Sequence, residues 1–408
     1  MRAWQGFFGG MVLLALALWP TVPAAAASIT GKASTVLEWY DTAEEETSLP
    51  LYQYLQLSAR DVAAKGYNFR LYGRLADDLN DEDVVKSRLY YAYLEKKDLF
   101  ENFGFRLGRQ FISTTAGASL MDGLSLDYSL LDDYRIKLFG GGDVSYYQGY
   151  NAKDVITGVE VAGRFFDNLD LAASYLQKWD DGLLAQELAG FDASYDSGKL
   201  WLYSELQWDL ISQRFSYAQL GGKYLFASPF TLRLEYLYSL PVFSSTSIYS
   251  VFAVAEYEEA LAEVTWRIAS GLQVFGRYVR EIYEEYEDAQ VFEAGIEKLR
   301  TGRFSGYLTG IYRQDDGGQD LKGFKVRGAC RFTKKIEAGL GMNLDVLERQ
   351  IDYFDSDSGP DETTSRRYWA DLSLRVNDKV NLEGKIERVD SDLWDYYNRG
   401  TLRLNLLF

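Results

Sequence analysis

The chain has 408 residues, a net charge of -17, a single cysteine and no histidine. Without histidine it lacks the base of Ser-His and Cys-His catalysis, the imidazole ligand of many zinc sites and the C-x-x-C-H haem attachment motif. The acidic balance argues against nucleic acid as a partner, because binding to phosphates needs clustered cations. We therefore expect a protein that is neither an enzyme nor a cytochrome, with no metal or cofactor of its own.

Residues 1–27 are predicted to form a secretory signal peptide. A positive charge at Arg2 precedes an apolar run from Phe7 to Leu18, and Ala24 to Ala27 offer a small-residue cleavage site. The apolar run is shorter than the roughly 20 residues that a membrane-spanning helix needs. The remaining residues, 28–408, are predicted to form one domain.

Segments of alternating apolar and polar residues recur along this domain without a break. Such alternation is typical of strands with one apolar and one polar face. The pattern is least regular over 84–141 and 241–258, so the expected strand number is about 22, within a range of 18 to 22. The predicted strands span residues 29–40, 50–60, 67–76, 84–95, 103–111, 121–128, 134–141, 154–165, 170–179, 186–195, 200–209, 214–226, 230–240, 258–268, 272–283, 289–299, 304–313, 321–332, 336–347, 365–376, 380–389 and 399–408.

These features together predict an all-β fold, a transmembrane antiparallel up-and-down β-barrel of the outer membrane. Aromatic residues make up 15% of the chain, and they suit the two lipid–water interfaces of a barrel. Short links alternate with longer acidic ones, as expected for periplasmic turns and extracellular loops with both ends of the domain in the periplasm. The first strand begins at Ile29, so we expect no plug domain.

The parity of the strands predicts which side chains face the lumen. In the segment from Tyr67 to Ala76 the apolar residues should face lipid, which turns the two arginines inward. The same test predicts a basic field on one side of the lumen, from Arg60, Arg70, Arg74, Lys86, Arg88, Arg106, Arg135 and Lys137. It also predicts inward-facing acids at Glu205, Glu235, Glu263, Glu337, Asp345, Asp371, Glu383 and Glu387. Two interpretations stay open, an anion-selective strip and an ordinary polar lumen of mixed charge.

The stretch from Leu89 to Leu94, followed by Phe103 to Gln110, resembles Gram-negative porins, which often pair a Tyr-rich strand with a strand ending in Gly-Arg-Gln. The resemblance implies an outer-membrane channel for small polar solutes or ions, with Arg106 and Arg109 as pore-wall cations. Two departures stand out. The link from Ile112 to Met121 is expected to be too short for the folded-in loop of general porins. Arg109 also shares the strand face of Phe105 and Leu107, so it would face the lumen only if a bulge intervenes or if it lies above the lipid.

A second resemblance supplies an alternative function. Tyr-rich, acidic barrels of this length without a plug look like the porin-like sheaths of porin–cytochrome complexes. This likeness, which lies in general character and in no motif, implies multihaem c-type cytochromes as partners. They would carry electrons across the outer membrane to extracellular acceptors, while the barrel provided insulation and positioning.

The last predicted strand places Leu402, Leu404, Leu406 and Phe408 on one face. A soluble sandwich also contains such strands. In a barrel, a terminal aromatic residue on this face resembles the signal that is read by the barrel assembly machinery. We therefore expect that machinery and outer-membrane lipid as partners.

Overall fold

The structure is a computed structural model, and the predicted signal peptide lies outside the residues that it describes. The described residues are 28–42, 46–62, 65–80, 85–100, 102–130, 133–145, 151–227, 229–241, 255–318, 320–349, 361–391 and 394–408. No helix among them is long and apolar enough to span a membrane.

All described strands belong to one antiparallel sheet. Every segment predicted from the alternation is a strand, with its bounds shifted by a few residues. The strands are β1 Ser28–Asp41, β2 Thr47–Ser48, β3 Pro50–Val62, β4 Tyr67–Asp78, β5 Arg88–Lys96, β6 Phe103–Thr114, β7 Gly117–Leu130, β8 Tyr134–Asp143, β9 Val155–Phe165, β10 Leu169–Asp180, β11 Leu183–Asp196, β12 Leu200–Asp209, β13 Arg214–Leu225, β14 Phe230–Ser239, β15 Tyr257–Ala269, β16 Leu272–Tyr283, β17 Ala289–Lys298, β18 Phe304–Asp315, β19 Leu321–Arg331, β20 Ile336–Arg349, β21 Asp361–Arg375, β22 Val380–Ser391 and β23 Trp394–Leu407.

The sheet closes into a barrel of 22 wall strands. Each wall strand pairs with its neighbours along the chain, and β23 pairs back onto β1 from Lys32 opposite Leu407 to Tyr40 opposite Arg399. The two-residue strand β2 pairs only with the end of β1 and adds nothing to the wall. The predicted fold class and strand number are therefore confirmed, and the described residues contain no plug domain.

The two faces of the wall differ in polarity. The outer face exposes large apolar side chains, among them Leu340 at 70% and Ile386 at 57% of their accessible surface. Polar side chains alternate with them and face the lumen, as Ser34 and Asn405 do where they share a hydrogen bond of 2.7 Å across the β1–β23 seam. An apolar exterior around a polar lumen is the arrangement that a lipid bilayer requires.

The links between strands also alternate, which gives the barrel two unlike rims. One rim carries both ends of the sheet and short links such as 269–272 between β15 and β16, where Gly271 has a φ of +70°. The other rim carries longer links such as 143–155, and we call it the long-loop rim. Three of its links are nevertheless short, at 114–117, 180–183 and 391–394.

Candidate functional site in the barrel lumen

The hairpin formed by β6 and β7 leaves the wall at the long-loop rim and bends into the lumen. The pairing of β5 with β6 ends at Arg109, and the pairing of β7 with β8 begins only at Met121. Between these points the two strands pair with each other, from Gln110 opposite Met121 to Thr114 opposite Gly117, and the Leu120 carbonyl accepts one further backbone hydrogen bond, from Val144 at 2.9 Å. We call this free part, residues 110–121, the hairpin tip.

The hairpin tip docks on the inner wall several strands away. The backbone amide of Ala116 donates to Ser174 Oγ on β10 at 2.6 Å, and Gln207 Nε2 on β12 donates to the Ala116 carbonyl at 2.7 Å. Lys178 on β10 donates to Ser119 Oγ at 2.8 Å. These bonds satisfy polar groups of a turn that has no ladder partner in the wall, so they hold the tip in place.

An apolar core fills the space between the hairpin tip and the wall. Its members are all buried and come from the tip and from the lumen face of β8 to β11: Ile112, Ala116, Met121, Phe139, Ile156, Leu176 and Leu188. Burial of each large side chain in such a core contributes about 1.5–3 kcal/mol. We call this region, the tip with the covered faces of β8 to β11, the hairpin sector.

One glycine on the wall makes the docking possible. A Cβ atom on Gly190 of β11 would lie 2.1 Å from the backbone carbon of Thr115 and 2.2 Å from the nitrogen of Ala116. The turn of the hairpin therefore rests directly on the wall backbone, which only a residue without a side chain permits.

The link from Ile112 to Met121 was expected to be too short for the folded-in loop of general porins, yet its turn reaches the inner wall. That expectation treated the link as a loop hanging from the wall, whereas both strands continue past their wall partners and carry the turn inward. A sequence signal for this did exist. Phe139, Ile156, Leu176 and Leu188 are apolar residues at lumen parity on four consecutive strands, and a lumen wall in contact with water does not favour them.

The predicted basic residues of β4 to β6 come together on the lumen face. Arg70 and Arg106 both contact the carboxylate of Glu95, at 3.1 and 3.7 Å. Glu95 is only 4% exposed, while the arginine side chains are 41% and 32% exposed. Arg74 and Arg88 lie opposite each other in the β4–β5 register. These four arginines form what we call the basic strip.

Tyrosine rings pack around the basic strip. The Arg74 guanidinium lies 4.8 Å from the centre of the Tyr52 ring, and the Arg106 guanidinium lies 4.7 Å from that of Tyr93. Tyr72 stacks on Tyr90 with 4.8 Å between the ring centres. Contacts of this kind hold a guanidinium in place without neutralising its charge.

The remaining predicted basic residues lie in other surroundings. Arg135 and Lys137 face the lumen from β8 and share the buried carboxylate of Glu160, at 3.2 and 3.6 Å. Arg60 is exposed near the end of β3. Lys86 was predicted inside a strand that begins at residue 84, but β5 begins only at Arg88, so Lys86 is exposed in the link before it.

Arg109, which the porin resemblance implied as a pore-wall cation, has a different partner. It lies opposite Asp122 in the β6–β7 register, on the strand face of Leu107, and donates to both carboxylate oxygens at 2.8 and 2.6 Å. The pair sits where the hairpin bends away from the wall. It therefore joins the two strands of the hairpin and adds no free cation to the lumen.

The lumen face opposite the basic strip carries acids in ion pairs. On β16, Arg277 contacts both Glu263 and Glu293, at 2.6 and 3.0 Å. On β18, Arg313 contacts Glu281 and Asp315, both at 3.0 Å. The predicted inward acids on β12 to β22 share the strand face of these residues, and several are neutralised by neighbours that the parity test did not consider.

The predicted assembly residues lie at the seam. Leu402 and Leu406 are exposed on the outer face, with Leu404 between them on the same face. Phe408 exchanges backbone hydrogen bonds with Gly31, at 2.8 and 3.1 Å, and its ring covers that glycine. The aromatic ring therefore closes the end of the β1–β23 ladder, and its role in assembly stays a prediction.

No family model and no curated protein matches the chain. Among solved structures, OpdO of Pseudomonas aeruginosa is similar, with 12% identity over 94% of this chain and 97% of that chain and a TM-score of 0.49. The outer membrane protein OpdK of Pseudomonas aeruginosa has 10% identity over 93% and 99%, with a TM-score of 0.47. A chain of the E. coli P pilus tip assembly intermediate PapC-PapD-PapK-PapG has 11% identity over 95% and 62%, with a TM-score of 0.52.

At these identities the similarity concerns the fold alone. The closed wall of 22 strands and its apolar outer surface identify the protein as an outer-membrane β-barrel. The predicted location in the outer membrane is confirmed.

Proposed function

We propose that the barrel is a porin-like channel that passes small polar solutes or ions and favours anions. The observation that carries the proposal is the basic strip, which faces a polar lumen beside the hairpin sector. A lumen lined by charged side chains of one sign, with walls of low dielectric constant, concentrates counter-ions along its path.

The charge of the basic strip supports a preference for anions. Glu95 is the acid that contacts Arg70 and Arg106, and one buried carboxylate cannot neutralise two half-exposed guanidinium groups. Arg74 and Arg106 are packed on tyrosine rings, which leave their charge intact. On β16 and β18 each arginine contacts two carboxylates, which leaves negative charge in excess, so the field across the lumen points from the strip toward the opposite wall.

The proposal is tested by neutralising the basic strip. Purified protein carrying Arg70→Gln, Arg74→Gln, Arg88→Gln and Arg106→Gln is placed in a planar bilayer under a salt gradient. We expect the reversal potential to shift toward cation preference, because the path loses four positive charges.

The matched control removes a whole ion pair from the opposite wall, with Arg313→Gln and Asp315→Asn together. This change leaves the net charge constant, and we expect the reversal potential to stay near its original value. A quadruple variant that keeps the original reversal potential would contradict the assignment of the strip. A folded protein without conductance would contradict the channel itself.

The size of the barrel supports the second candidate, a sheath for a multihaem cytochrome. With strands about 4.8 Å apart and tilted by about 40°, 22 strands give a backbone radius of roughly 22 Å. The hairpin tip docks on one wall, so the described residues leave a wide part of this interior for a partner. Co-purification with a haem protein, and haem-dependent electron transfer across liposomes without steady conductance, would favour the sheath over the channel.

A further inference from the structure

A second group of cations lies on the lumen face of β21 to β23, where the sequence predicted an inward acid at Glu387. The Glu387 side chain is only 2% exposed. Lys385 Nζ lies 2.6 Å from its Oε2 atom, and Arg399 Nε lies 2.7 Å from its Oε1 atom. Arg367 Nε lies 3.6 Å from the same Oε1 atom. We call Arg367, Lys385 and Arg399 the cation cluster.

The cation cluster carries more positive charge than Glu387 can neutralise. The three side chains are 46–47% exposed to the lumen, while the carboxylate lies beneath them. A carboxylate accepts about four hydrogen bonds, whereas two guanidinium groups and one ammonium group offer about thirteen N–H donors. Glu387 can therefore accept only a minority of these hydrogen bonds, and most of the donors remain available to other acceptors in the lumen.

The neighbouring acids are engaged with other residues. Asp371 lies opposite Lys385 in the β21–β22 register, but both of its oxygens accept hydrogen bonds from Arg327 Nη2, at 2.9 and 2.8 Å. Glu383 lies opposite Arg403 and accepts a hydrogen bond from Asn381 at 2.7 Å. Arg327 therefore balances the charge of Asp371, and Glu383, whose partner Asn381 is neutral, lies opposite a further cation, Arg403.

We propose that the cation cluster is a binding subsite for small oxyanions, that is, for solutes bearing a carboxylate or phosphate group. Guanidinium and ammonium groups that converge on one point bind such groups through short, charge-assisted hydrogen bonds. Trp369 lies opposite Glu387 in the register, and Lys385 Nζ is 5.7 Å from the centre of its ring. The indole gives an organic anion an apolar surface beside the charged groups.

The subsite is distinct from the basic strip, although closure of the barrel brings the two near each other. β23 pairs with β1, and β1 pairs with β3, so the cluster and the strip occupy neighbouring parts of the wall. The inference rests on the proposed function to the extent that solutes must enter the lumen.

The test uses inorganic phosphate as the probe on the full-length folded barrel. In bilayer recordings we expect phosphate to reduce the single-channel current. Lys385→Gln and Arg399→Gln, made separately, should each raise the phosphate concentration for half-reduction by about tenfold, the loss expected for one charge-assisted hydrogen bond. Arg367→Gln should raise it by at least as much, because the Arg367 guanidinium lies farther from Glu387 and keeps more of its donors for phosphate. Lys325→Gln, a lumen-facing lysine on β19, is the matched control and should leave the concentration unchanged.

Calorimetric titration of phosphate into the detergent-folded barrel separates this inference from the proposed function, because it needs no conductance. Heat-modifiable migration on gels shows that each variant is folded. Phosphate binding that is lost in Lys385→Gln and Arg399→Gln supports the subsite even if the barrel does not conduct. A conducting barrel without phosphate binding overturns the subsite and leaves the channel standing. Equal loss in Lys325→Gln also overturns it, because binding would then follow total lumen charge.

Discussion

The hairpin sector and the basic strip lie side by side on the same inner wall, yet one is dry and the other is wet. In the hairpin sector the tip covers β8 to β11, and apolar residues at lumen parity pack beneath it. In the basic strip nothing in the described part of the chain covers β4 and β5, and the lumen face keeps arginine and tyrosine. The polarity of the inner face of a barrel therefore depends on whether another part of the chain or the open lumen lies against it.

The basic groups of the lumen also differ from the wall opposite the strip in how their acids are used. Glu95, Glu160 and Glu387 are buried beneath two or three cations each, so they position positive charge while they leave an excess of it. On β16 and β18 each arginine instead contacts two carboxylates. The same residue types therefore give opposite local charge, depending on which partner lies at the centre of the group.

The largest expected effect is that of a charge placed in the dry sector. Leu176→Arg puts a guanidinium among the buried apolar side chains beneath the hairpin tip, where its charge is not balanced by a carboxylate of this core. We expect a loss of roughly 3–5 kcal/mol in the free energy of unfolding, measured by urea titration of the folded barrel.

The matched control for Leu176→Arg is Gln56→Arg, which places the same charge on the exposed lumen face of β3 beside the basic strip. This change should alter the free energy of unfolding by no more than about 0.5 kcal/mol. Equal losses in the two variants would show that the hairpin sector is not dry.

A charge on the lipid face should have the next largest effect. Leu340 is 70% exposed on the outer wall, and Leu340→Arg should cost about 2–4 kcal/mol if the residue lies near the middle of the bilayer. Asn343→Arg, on the lumen face of the same strand, should cost much less. The measurement is the urea midpoint in phospholipid vesicles, and similar losses at both positions would contradict the assignment of the two faces.

The smallest of the three effects on stability is expected from displacing the hairpin tip. Gly190→Val places a side chain where the backbone of the turn now rests, so the tip must move away from the wall at a cost of about 1–3 kcal/mol. Single-channel conductance should rise, because the hairpin sector then admits water and ions. Gly276→Ala is the control, since a Cβ atom there meets nothing within 4 Å. An unchanged conductance in folded Gly190→Val would mean that the tip does not narrow the path.

Local patterns account for most of the fold. Alternation with a period of two predicted all 22 wall strands, and turn residues together with alternating link lengths predicted the arrangement of the two rims. These features depend on the residue itself and on its near neighbours in sequence. Parity alone also placed Arg70, Arg74 and Arg106 on the lumen face, because successive side chains of a strand point to opposite sides.

Contacts between distant strands decided the rest, and no single strand carries that information. Docking of the tip depends on Gly190 and Ser174, which are remote from the hairpin in sequence and meet it only after the sheet has closed. The charge of the lumen depends on which cation reaches which acid across the ladder, so Glu387 became the centre of a basic group where parity predicted an acidic face. The sequence by itself determined a closed barrel with an apolar exterior and a polar lumen, because those follow from the period of the strand. Only the tertiary structure decided where that lumen is dry, where it is basic and where it is acidic, because each of these depends on side chains brought together across several strands.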